Sequence, residues 1–331
     1  MIHKNRFIRF TALSSFVILS AFSCHDDEDV QLPEFITSAV DIVTPVSARF
    51  AAHVTVEGSN TLSDKGICYS TESMPDLTDS KVFSGNETGE YTVIVTGLTP
   101  QTTIYARAFA TNSAGTVYDE EIEFTTTEDF SGETGTMTDH QGNVYPTIGI
   151  GSQIWMAANL KSTQYNDGTE IPYVDGENDW MNLESPAWCY YNNLAGNASE
   201  YGVLYNWYAA AASLICPPGW HLPTDTEWSV LAVFLGGEDE AGAKIKETGT
   251  AHWHSPNGEA TNETGFRGLP AGYRALIGVY SSIQESAVFW SFTGNGVDEA
   301  WSRLLEYQNS KLARVNINTR VGCSIRLVKD N

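Results

Sequence analysis

Between positions 49 and 57 the chain alternates: Phe50, Ala52, Val54 and Val56 are apolar and most of their neighbours are polar. A period of two marks a strand with one buried face. Tyr91-Thr92-Val93-Ile94-Val95 and Ile104-Tyr105-Ala106-Arg107-Ala108-Phe109 behave alike. Turn-forming runs separate them: Glu57-Gly58-Ser59-Asn60, Ser84-Gly85-Asn86 and Asn112-Ser113-Ala114-Gly115. Short strands at this spacing over residues 33–127 predict an all-β immunoglobulin-like sandwich. Cys68 falls inside it and is expected to be a small buried hydrophobe.

The pattern changes further along. Residues 128–138 are polar with two glycines and read as a linker, so a second domain is expected over 139–331. Residues 142–156 predict two strands around a glycine-rich turn. In Tyr201–Ile215, Leu204, Trp207, Tyr208 and Ala211 recur at helical spacing, and Cys216-Pro217-Pro218 would stop that helix. A second helix starts at Thr224-Asp225-Thr226-Glu227, a capping box in which threonine and glutamate satisfy each other's backbone N–H groups. Trp228, Leu231, Ala232 and Leu235 form its apolar stripe, and Gly236-Gly237 ends it. Beyond Gly249 the chain is loop-rich, and Ala313–Val328 predicts a hairpin closing a sheet. The second domain is therefore expected to be α+β.

Composition sharpens this division. All nine tryptophans lie at or after Trp155. The formal net charge of −23 disfavours nucleic acid as a partner. The acid excess leaves calcium open, but no D-x-D-x-D-G run indicates it, so no cofactor is expected. The first residues point to export. A basic start carries Lys4, Arg6 and Arg9, and the apolar run after it is shorter than the ~20 residues that span a bilayer. Ser23-Cys24 follows. Residues 1–23 read as a signal peptide, Cys24 as the lipid-modified residue, and 24–32 as an acidic tether. His25-Asp26-Asp27-Glu28-Asp29 resembles the surface-export signal of Bacteroidota lipoproteins. The expected location is the outer membrane, held by a lipid anchor and exposed on the cell surface.

Local strings extend the picture by resemblance. Gly97-Leu98-Thr99-Pro100, Tyr105-Ala106-Arg107-Ala108, Asn112-Ser113-Ala114-Gly115 and Phe124-Thr125-Thr126 resemble the second half of a fibronectin type III domain. The early core tryptophan of that family is absent and Phe50 stands near its place. The corner-tyrosine position holds Ile104. In the second domain, Gln153-Ile154-Trp155-Met156, Tyr201-Gly202-Val203-Leu204-Tyr205-Asn206-Trp207, Cys216-Pro217-Pro218-Gly219-Trp220-His221-Leu222-Pro223, Leu269-Pro270-Ala271-Gly272-Tyr273-Arg274 and Ser324-Ile325-Arg326-Leu327-Val328 resemble the Fibrobacter-type major paralogous (FISUMP) domain. The segment Gly219–Trp228 is also similar to formylglycine-generating-type domains. That similarity implies a C-type lectin-like fold.

Chemistry is sparser. The formylglycine-generating resemblance implies a cysteine pair near the C-terminus for oxidase activity, and only Cys323 is there. His252 and His254 lack a third ligand at motif spacing, so no metal site is expected. His221 reads as a structural, hydrogen-bonded histidine. Cys189, Cys216 and Cys323 share the second domain. Any one pair leaves one thiol free, and Cys189 with Cys216 is preferred because they bracket the first expected helix. The loop-rich half carries Trp253, Tyr273, Tyr280, Trp301 and Tyr307, whose aromatic faces suit sugar rings or protein surfaces. The expected function is non-catalytic binding or adhesion to a glycan or surface-protein ligand. A structural role in an envelope or filament assembly comes next, and an enzyme last.

Overall fold

The computed structural model describes residues 31–56 and 61–330. The signal segment, Cys24 and the acidic run behind it lie outside the described residues. The alternating segments become eight strands: β1 Glu34–Val43, β2 Ser47–Thr55, β3 Asp64–Ser70, β4 Ser80–Phe83, β5 Gly89–Thr96, β6 Thr103–Asn112, β7 Gly115–Tyr118 and β8 Ile122–Thr125. They make two antiparallel sheets, β1-β2-β5 and β4-β3-β6-β7, with β8 also on β6. Phe50, Ala52, Val93 and Val95 from one sheet meet Ile67, Ile104, Ala106 and Ala108 from the other. Phe50 is buried and meets Phe124 edge-on at 5.7 Å, so it fills the early aromatic place. Cys68 is fully buried, as expected.

The segment expected to be a linker is folded into the second domain. Phe130 and Gly132 donate backbone hydrogen bonds to Gly151 and Gly149, and β9 (Thr134–Thr138) pairs with β10 (Val144–Ile150). The Phe130 carbonyl approaches Gly149 so closely that a Cβ there would lie 1.8 Å from it, which only glycine tolerates. Polar, glycine-containing chain reads as a linker. Here the glycine at 149 instead allows a backbone to close against a strand.

The second domain continues with β11 Gln153–Met156, α1 Glu177–Met181, β12 Trp188–Cys189, α2 Ala198–Tyr201, β13 Leu204–Tyr205, α3 Trp207–Ala210, β14 Trp220–His221, α4 Asp225–Phe234 and α5 Glu238–Ile245. Strands β15 Ala271–Arg274, β16 Tyr280–Ile283, β17 Ser286–Gly294, β18 Glu299–Glu306, β19 Ala313–Asn318 and β20 Val328–Lys329 complete it. One sheet runs β14-β20-β11-β10-β9 and another β16-β15-β17-β18-β19. The β10–β11 hairpin turns at Gly151-Ser152, as its pattern predicts. Helix α4 has the expected capping box, and Trp228, Leu231, Ala232 and Leu235 are buried.

Three expectations are corrected. No single helix spans Tyr201–Ile215. Gly202, at φ 72°, ends α2. Leu204-Tyr205 then pairs with Trp188-Cys189, and Asn206 caps a new short helix by accepting from the Ala209 N–H. Helical spacing lost to a strand partner that sequence does not reveal. Ala313–Val328 is no hairpin either: β19 pairs with β18, whereas β20 pairs with β11 and β14. The chain between them passes through the core, touching Arg274, Tyr205 and Phe289 in turn. Finally, Cys189 and Cys216 are free thiols. Cys189 packs with Trp180 and Leu204, while Cys216 lies against a different cluster beyond a 3-10 turn. Helix α5 was not anticipated, although Glu238-Asp239-Glu240 suits a helix N-terminus.

The two domains touch directly. The Ser47 hydroxyl donates to the Val233 carbonyl at 3.1 Å in a buried contact, and α4 packs on β1 and β2. At the rim, Arg49 binds Asp41 and also feels Glu238 and Asp225 of the second domain.

Candidate functional site

The sheet β16-β15-β17-β18-β19 is buried on both faces along its middle. Ala287, Phe289 and Leu305 point into one core, Val288, Trp290 and Ala300 into the other. Towards the start of β17 and the end of β18 the second face opens. A cleft of 310 Å³ forms there, lined by Tyr273, Glu285, Ser286, Glu306 and Tyr307, with Ser282 and Leu304 beside them. Strand register explains the gathering. Ser286 lies opposite Glu306, and Tyr273 comes from β15, which pairs with both β16 and β17.

Ser286 is only 6% exposed, and its hydroxyl has no hydrogen-bond partner among the described residues. A buried hydroxyl left unpaired costs about 1–3 kcal/mol. Ser282 and Gln284 take left-handed φ values of 61° and 67° at the turn beside the cleft, an unusual geometry for side-chain-bearing residues. Tyr307 is fixed by its backbone N–H on the Glu285 carbonyl and by Gln308 donating to its hydroxyl at 2.8 Å. The His254 ring meets Tyr307 edge-on at 5.9 Å, and His254 Nδ1 lies 3.7 Å from Glu285. Beneath the rim, the buried Lys246 Nζ donates to the Glu306 and Asn309 carbonyls at 3.0 and 2.7 Å. Burial pulls its pKa down to about 8.

The five aromatic residues singled out in the sequence separate into three groups. Tyr273 and Tyr307 meet at this cleft. Trp253 is corrected to core: it is 1% exposed and its indole donates to the Gly268 carbonyl. Tyr280 packs on Tyr191 beneath the Arg274 guanidinium, and Trp301 is covered by Arg314 at 3.4 Å, so neither joins the cleft. Glu285, Ser286 and Glu306 were missed. Ser286 opens the buried run Ser286–Trp290, and a serine leading an otherwise apolar strand was the available signal.

A second cleft, also 310 Å³, lies beside His221 and is walled by Ala211, Cys216, Trp220, Leu222 and Phe292. His221 is hydrogen-bonded as expected, on both sides: Nδ1 is 2.6 Å from Asp330 and Nε2 is 2.7 Å from Glu227. Partial burial lowers its pKa, but the hydrogen bonds and charges of Asp330 and Glu227 outweigh this and raise it overall. Burial pushes the Cys216 thiol up to about 12, so it stays protonated. With both imidazole nitrogens held by carboxylates, the histidine is not placed to activate that thiol. His252 pairs with Glu247 at 2.7 Å, and no cluster of three or more potential metal ligands occurs among the described residues. Among the same residues, no helix is long and apolar enough to cross a membrane.

No curated protein matches this chain. Among solved structures, the third fibronectin III domain of the human KIAA0343 protein is similar at 19% identity, with a TM-score of 0.24, covering 35% of this chain and 98% of that domain. Residues 148–329 match the Fibrobacter succinogenes major domain, which spans β11 to β20 and both clefts, and the chain belongs to that family.

Proposed function

We propose that this chain is an exported, lipid-anchored surface protein whose second domain binds a glycan between Tyr273 and Tyr307. Cys24 would carry the anchor, and the sandwich, packed firmly on α4, would hold the binding domain away from the membrane. A C-type lectin-like scaffold is part of the proposal. Its supports are the pairing of β20 with β11 and a long irregular segment after α5, ahead of the strands that line the cleft. The observation that carries the binding reading is the orphaned Ser286 hydroxyl between two tyrosines and two glutamates. Sugar hydroxyls both donate and accept, so they can satisfy serine and carboxylate groups while a ring face packs on tyrosine.

The test is a glycan array followed by calorimetry, with protein beginning at Gln31. Binding should fall at least about tenfold in Tyr307→Ala, the size expected for an aromatic anchor. The Trp301→Ala protein, altered outside the cleft, should bind like the parent. An array without a single reproducible hit, or equal loss in both variants, would sink the proposal.

A further inference from the structure

We infer that the sugar taken by this cleft bears a positive charge, as an amino sugar with a free amine does. This rests on the glycan-binding reading and adds the charge of the ligand. The lining carries two exposed carboxylates, Glu285 and Glu306, and no lysine or arginine side chain. Of the nearby cationic groups, Lys246 is fully buried and donates hydrogen bonds to the Glu306 and Asn309 carbonyls. His254, outside the lining with its ring against Tyr307, has Nδ1 3.7 Å from Glu285, which leaves the Glu306 carboxylate with no ion pair among the described residues. Glu306 is held open by Asn309, whose amide donates to Oε2 at 3.1 Å, which leaves Oε1 for a ligand.

Two further features select the ligand. Tyrosine faces attract cations through the ring quadrupole, so an ammonium placed between Tyr273 and Tyr307 gains from both walls. A neutral sugar could use the serine and the rings, but it would leave the Glu306 carboxylate without a counter-charge in the cleft. An ammonium neutralises part of that charge and makes a charge-assisted hydrogen bond. A lysine side chain offers the same charge. It brings no hydroxyls, however, and would leave Ser286 without the partner a sugar ring supplies. The strongly acidic chain adds a long-range pull on cations, which salt screens beyond ~8 Å.

The experiment is calorimetry of the parent protein, in low and in 0.15 M salt, with three matched oligosaccharides: one of glucosamine, one of N-acetylglucosamine and one of glucose. Poly-lysine is the fourth arm. The glucosamine oligomer should bind about tenfold tighter than either neutral oligomer at the higher salt, the scale of one desolvated charge contact. Glu306→Gln should remove most of that preference, so that the glucosamine oligomer then binds no tighter than the neutral ones, while leaving the melting temperature unchanged. Glu90→Gln, an exposed acid of the first domain, should keep it. Equal binding of all three oligomers would overturn the charge inference and leave the glycan reading standing. A preference that persists in Glu306→Gln, or falls equally in Glu90→Gln, would show diffuse attraction and also overturn it. Binding of poly-lysine alone would overturn both.

Discussion

The first domain and the second solve the same problem with different materials. In the sandwich, most backbone N–H and C=O groups pair in ladders, so its core needs only shape: Phe50, Val93, Val95, Ile104 and small alanines. In the second domain, long stretches between strands have no ladder, yet they are packed under tryptophans and must be satisfied some other way. Side chains do it. Six indole N–H groups, those of Trp180, Trp188, Trp207, Trp228, Trp253 and Trp290, donate to backbone carbonyls. Arg274, Arg303 and Arg326 are fully buried. Arg274 binds the carbonyls of Val174, Asp175, Gly176 and Gly278, and Arg326 those of Met156, Phe266 and Arg267. Irregular backbone can thus be buried when polar side chains stand in for strand partners.

This contrast can be broken first at Phe50. Phe50→Ala removes one of the largest buried side chains of the sandwich and should cost about 3–5 kcal/mol. Because every tryptophan lies in the second domain, fluorescence reads that domain, while far-ultraviolet dichroism reads both. Urea unfolding should show an early dichroism change with the fluorescence transition nearly in place. A single shared transition would mean that the α4 contact makes the two domains one cooperative unit.

Arg326→Met tests the other half. It leaves three backbone carbonyls and the Asn159 side chain without their donor, at a cost of about 3 kcal/mol or more. The fluorescence transition should move to lower urea and the sandwich should not. Burial already pulls this guanidinium down to about 9, so part of the cost of keeping it charged is recovered. A variant as stable as the parent would show that an apolar replacement can serve this backbone equally well.

The smallest effect is at His221, which ties the N-terminus of α4 to Asp330, just after β20. Its pKa is raised in the folded state, so its contribution is full below the ordinary histidine value and is lost as pH rises through the raised one. The ring is more than a third exposed, so the difference should stay under about 1 kcal/mol. Comparing the parent with Asp330→Asn across pH 6–9 isolates it. Parallel pH profiles for the two proteins would refute it.

Strands in the sandwich, the β10–β11 hairpin and α4 were legible because their signals are local. Period-two alternation, a glycine turn and a capping box each act within about ten residues. Tyr273 and Tyr307 were legible as aromatic residues of a loop-rich half, but Trp253 and Trp301 looked the same there. What separates them is whether Gly268 or Arg314 reaches them from elsewhere in the chain. The single helix expected over Tyr201–Ile215 failed for the same reason: Leu204-Tyr205 was claimed by Trp188-Cys189, a partner invisible in local spacing.

Local chemistry thus carried the two-part organisation, the strand and helix starts that have caps or turns, and the acidic character of the whole. Only the tertiary structure decided that residues 128–138 fold into the second domain and that its three cysteines stay free thiols. It also decided that Ser286 faces Glu306 between two tyrosines. Caps and periodicity are energies of neighbours along the chain. A cleft depends on which distant strands come into register, and that is set by burying the whole core at once.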